Sequence, residues 1–116
     1  MAHELSPKER PDILSMHRSV RDIIESLQKF VETEDYAYVE RAFNEKERLK
    51  SHGKLEYISG FQDLESNLDT LYNSVKGGVA ADFVHGRLVD QAVYTIVRAN
   101  IIATGLEFKL KRMRKG

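Results

Sequence analysis

Four histidines, His3, His17, His52 and His85, are the residues of this chain best suited to acid–base, metal or phosphoryl chemistry. None stands three or four residues from another, so no helix carries a His-x-x-x-His metal pair. A carboxylate di-iron bundle needs two Glu-x-x-His motifs and two further carboxylates. The nearest approach is Asp82-Phe83-Val84-His85, where Asp82 serves more simply as a helix N-cap. A histidine phosphotransfer module needs an exposed histidine midway along a helix, beside a basic and a small residue. Lys50-Ser51-His52-Gly53-Lys54 and His85-Gly86-Arg87-Leu88 supply those neighbours but fall at predicted helix ends. His17, with Arg18 and Arg21, is mid-helix yet flanks an apolar stripe. The histidines read as surface or boundary residues, and a phosphotransfer-like module is kept as an alternative.

Nucleophilic chemistry has less to work with. Cys is 0, which removes thiol nucleophiles, disulfides and Cys-ligated metal sites. No Gly-x-Ser-x-Gly elbow is present, and Lys76-Gly77-Gly78 lacks the P-loop pattern and reads as a helix stop. Glu32, Glu34 and Asp35 cluster at a predicted helix junction, where capping accounts for them. Tyr36, Tyr38 and Phe43 fit core packing better than an exposed aromatic patch. The expectation is a non-enzymatic protein with no cofactor, no metal and no catalytic residue.

One charged segment stands out. Lys109, Lys111, Arg112, Arg114 and Lys115 place five positive charges in the eight residues 108–115. Leu106, Leu110 and Met113 accompany them at helical spacing, which predicts a basic amphipathic helix end. Such an end binds phosphates, an acidic partner or an anionic surface, or it offsets the negative pole of its own helix. A small nucleic-acid-associated subunit is therefore a second alternative. The overall balance of 18 basic and 18 acidic residues confines any such role to this local patch.

The elements that position these residues are set by periodicity. A length of 116 residues implies one domain, and 41% hydrophobic with 31% charged residues is a globular composition. Both prolines fall in residues 1–11, which read as an N-terminal arm, and Asp12 is placed to cap the first helix. Ile13, Met16, Val20, Ile23, Ile24, Leu27, Phe30 and Val31 recur at three- and four-residue steps and predict that helix over about 12–32. A thinner stripe of Tyr36, Val39, Phe43 and Leu49 predicts a second over 35–51, with Gly53 as its left-handed terminator. Leu55, Ile58, Phe61, Leu64, Leu68, Leu71, Tyr72 and Val75 predict a third over 55–76, starting or bending at Gly60. A fourth runs over about 80–113, with Gly86 and Gly105 as candidate breaks. Val93-Tyr94-Thr95-Ile96-Val97 suits a strand by residue type, but no other segment alternates to pair with it. The predicted fold is an all-α, four-helix bundle-like domain spanning 12–116.

The fourth segment carries more apolar residues than one buried face requires. Arg87, Asp90 and Arg98, with Gln91 and Tyr94, make only a narrow polar stripe. Leu88, Ala92, Val93, Ile96, Ala99, Ile102 and Ala103 are the candidate self-association face, the alanines and nearby glycines admitting a second backbone closely. Asn100 either marks register across that face, caps a bend near Gly105 or meets solvent. Self-complementarity makes a two-fold homodimer the simplest closure, with a central helix wrapped by the other three as the competing arrangement. The chain is expected to be a cytoplasmic interaction or regulatory protein: no apolar run approaches a membrane span, and the first residues lack a secretory core.

Overall fold

A computed structural model describes residues 10–51, 58–76 and 82–114, with backbone alone for 82–86 and 113–114. The chain is all-α. Four helices occur in order, α1 (Arg10–Thr33), α2 (Ala37–Ser51), α3 (Phe61–Lys76) and α4 (Asp82–Arg114). α1 packs against α2 and α4, and α3 packs against the same two, so the helices form a ring with α1 diagonal to α3. Lys46 meets Asp69 and Lys50 meets Glu65, which sets α2 and α3 antiparallel. His17 near the start of α1 reaches Glu107 near the end of α4, which does the same for that pair. This is a four-helix bundle.

The apolar stripes read from the sequence become its core. Ile13, Met16, Val20, Ile23, Leu27 and Phe30 of α1 are fully covered, as are Leu64, Leu68 and Leu71 of α3. α2 contributes less, with Val39, Ala42 and Leu49 buried. Phe43 and Tyr72 are half-buried and stack with ring centroids 3.9 Å apart, joining α2 to α3.

Several boundaries differ from the sequence-based expectation, each for a local reason. α1 begins at Arg10, so Asp12 lies inside the first turn rather than capping it. Pro11 fits there because a first-turn residue needs no N–H partner, and the Asp12 carboxylate sits at the positive helix pole. α1 stops where Glu34 takes a left-handed φ of 62° and donates its N–H to the Phe30 carbonyl at 2.7 Å. Asp35 then caps α2, its Oδ1 accepting from the Ala37 N–H at 3.0 Å. α3 starts six residues later than the predicted 55: Gly60, at φ 86°, makes the entry turn, and its carbonyl accepts the Leu64 N–H. Residues 1–9, 52–57, 77–81 and 115–116, which include His3, His52, Gly53, Leu55 and Lys115, lie outside the described residues.

α4 passes through Gly86 and Gly105 without a break. Its 33 residues reach about 50 Å at 1.5 Å per residue, matching the 53 Å long axis of the molecule. α3 has 16 residues, about 24 Å by the same rise. Arg98, at the middle of α4, has its pKa raised by its hydrogen bond to Tyr94 and more weakly by the Asp63 carboxylate in the first turn of α3.

Two substitutions test these backbone readings. Glu34→Gly removes the strain of a side chain at positive φ and is expected to add about 0.5–1 kcal/mol. A Cβ at Gly105 would meet no atom within 4 Å, so Gly105→Ala is expected to add about 1 kcal/mol of helix propensity. Urea denaturation of each variant checks both.

Candidate functional site

α4 presents two contrasting sides. Leu88, Ala92, Thr95, Ala99, Ile102, Ala103 and Leu106 are buried, while Val93, Tyr94, Val97, Ile101 and Phe108 are 46–64% exposed. Those five account for most of the large apolar side chains exposed among the described residues; the others are Leu14 and Tyr36. Val93, Val97, Ile101, Thr104 and Phe108 recur at steps of three and four, so they line one face. Val97, Asn100, Ile101 and Thr104 form a shallow, open concavity at its middle.

This corrects the residue list read from the sequence. Leu88, Ala92, Ala99, Ile102 and Ala103 are core residues of the single chain, Ile96 is half-buried, and Val93 alone of the seven is exposed. The small side chains admit this chain's own helices rather than a second molecule. The outward apolar face lies on the other side of α4, beside the stripe that polar residue types mark. Arg98 fixes one edge of it, its Nη2 and Nε donating to the Tyr94 hydroxyl at 2.6 and 3.0 Å. The guanidinium also lies 5.2 Å from the Tyr94 ring centroid, so this tyrosine is held against its own helix.

Of the basic segment, Lys109, Lys111 and Arg112 have described side chains. Lys109 is half-buried, and burial lowers its pKa below the ordinary lysine value. Lys111 and Arg112 are exposed, with the Lys111 ammonium 6.0 Å from the Phe108 ring centroid on the apolar face. Arg114 is helical and its side chain is not described, and Lys115 is outside the described residues. Successive charges at about 100° per residue diverge around the helix.

His17 Nε2 lies 3.0 Å from Glu107 Oε1, half-buried between α1 and α4. A nitrogen engaged by a carboxylate is not offered to a phosphodonor. His85 lies on α4 with its side chain not described. Among the described residues no group of three His, Asp or Glu side chains is gathered as a metal ion requires, and no helix is long and apolar enough to cross a membrane. Comparison with protein families, curated proteins and solved structures finds no match. The chemistry of the site therefore rests on its own residues.

One functional-looking cluster escapes the sequence. Lys46 is 1% exposed, with its ammonium 2.6 Å from both Asp69 Oδ1 and Glu47 Oε1, 4.0 Å from Glu65 Oε2, and 4.0 Å from the Phe43 ring centroid. Lys50 closes the group at 2.7 Å from Glu65. The signal is present, because Lys46 continues the spacing Val39, Ala42, Lys46, Leu49 and so occupies a core position of α2. Burial pushes its pKa down, but hydrogen bonds and charge from Asp69 and Glu47 outweigh this and hold it above the ordinary 10.5. The cluster joins α2 to α3 through ion pairs from Lys46 and Lys50 to Asp69 and Glu65.

Lys46→Met is expected to cost about 1–3 kcal/mol, since it leaves carboxylates that water can still reach; Lys46→Glu is expected to cost more than about 3 kcal/mol. The raised folded pKa means the stabilisation is complete below the ordinary lysine range and fades as pH rises through the raised value. Urea denaturation from neutral to strongly alkaline pH should show this fall in the unmodified chain and a smaller one in Lys46→Met.

Proposed function

We propose that this chain is a non-catalytic interaction protein, regulatory in role, that associates with a second copy of itself through the outer face of α4. One observation carries the reading: Val93, Val97, Ile101 and Phe108, all at least 46% exposed, share one helix face. Solvent-facing helix positions are ordinarily polar, and contiguous exposed apolar surface marks contact sites. The core does not need these residues, because α1 and α3 already cover the opposite side of α4. Their apolar character thus has a reason only outside the single chain. A lone helix meeting its own copy makes a self-complementary, closed pair.

The face is narrow. A strip of about 32 Å by 11 Å offers roughly 350 Å² per copy, under half of the roughly 800 Å² of a standard interface. Association is accordingly expected at micromolar rather than nanomolar concentration.

Sedimentation equilibrium from micromolar to near-millimolar protein should give a mass rising from one chain to two. Ile101→Glu, which places a carboxylate at the middle of the face, is expected to weaken pairing at least about tenfold with unchanged helical circular dichroism and midpoint. A one-chain mass at every concentration would overturn the reading.

A further inference from the structure

The outer face of α4 is apolar in the middle and oppositely charged at its ends. Asp90 stands exposed on this face three residues before Val93, and it makes no ion pair among the described residues. Lys111 and Arg112 stand exposed three and four residues after Phe108. The order along the face is thus acidic, apolar, basic. A second copy laid parallel would set Asp90 on Asp90 and Lys111 on Lys111. A copy laid antiparallel sets each acidic end on a basic end. Coulomb's law separates the two arrangements without any further assumption.

We infer that α4 pairs antiparallel with a second copy about a two-fold axis between Asn100 and Ile101, Asp90 of each meeting Lys111 and Arg112 of the other. The inference rests on the self-association reading and adds its orientation and register. The residues are centred for it: Asp90 and Lys111 are equally far from that axis, as are Val93 and Phe108, and Val97 and Thr104. Val93 then meets Phe108 and Val97 meets Thr104, while Ile101 packs beside the axis against its own copy with the two Asn100 carboxamides adjacent. Tyr94, held back by Arg98, falls level with Glu107 of the other copy. Arg87, at the rim of the acidic end, already makes a contact within its own chain.

The absence of native cysteine allows a direct test in the full chain. Ile101→Cys should oxidise to a covalent dimer. Val93→Cys should not close on itself, because its two copies are about 22 Å apart along the axis and a disulfide needs Cα atoms within about 7 Å. A mixture of Val93→Cys and Phe108→Cys should give the heterodimer. In sedimentation, Asp90→Lys should raise the Kd about three- to tenfold, the pair counting twice by symmetry, and Asp90→Lys with Lys111→Asp should restore it within about twofold. Val93→Cys closing on itself as readily as Ile101→Cys would overturn the antiparallel register while leaving self-association intact. A charge reversal that fails to restore affinity would overturn the Asp90–Lys111 contact. A one-chain mass with no cross-link at position 101 would overturn the underlying reading as well.

Discussion

A helix of 33 residues cannot be buried on all sides by partners of 24, 15 and 16. That mismatch of lengths is the constraint on which the rest of the structure depends. In a four-helix ring each helix has two neighbours and therefore one covered side. α1 runs beside α4 and covers it toward its C-terminal end, where His17 meets Glu107. α3, with 16 residues, spans about 24 Å and can lie along only about half of α4. The inner side of α4 carries Ala92, Ala99 and Ala103, which let both neighbours lie close. The outer side keeps Val93, Val97, Ile101 and Phe108, for which this ring has no place.

The opposite junction, between α2 and α3, is built differently. Apolar area is scarce on α2, and a lysine occupies a core position there. A buried ammonium is tolerated only when its charge and hydrogen-bonding capacity are met. Asp69 and Glu47 meet both, and the Phe43 ring, stacked on Tyr72, covers the remaining direction. The half-exposed carboxylates stay hydrated while the lysine does not. One helix pair is thus held by polar specificity, and the α1–α4 pair mainly by close apolar contact.

These two solutions bear on function in opposite ways. The Lys46 ammonium is satisfied within the chain by Asp69 and Glu47. The outer face of α4 is unsatisfied within the chain, with apolar residues at its centre and opposite charges at its ends. Unmet apolar surface is a driving force for association, and charge order sets direction. The proposed antiparallel pair uses both features and calls on no other part of the molecule.

Helix number, fold class and the core of α1 are legible in the sequence, because three- and four-residue spacing alone decides which side of a helix can leave water. The surplus of apolar residues in α4 is legible as well. Its direction is not. Residue type and spacing mark seven positions as an outward face, yet Leu88, Ala92, Ala99, Ile102 and Ala103 point inward. An apolar arc that wide has no unique inner side until neighbours are placed against it. Gly60 and Glu34 likewise begin or end helices through positive φ, which for glutamate no local pattern announces. Lys46 is hidden by its charge: periodicity puts it in the core, and residue type argues it out. Only the tertiary structure decided that question, because Asp69, the carboxylate that makes its burial tolerable, lies on another helix.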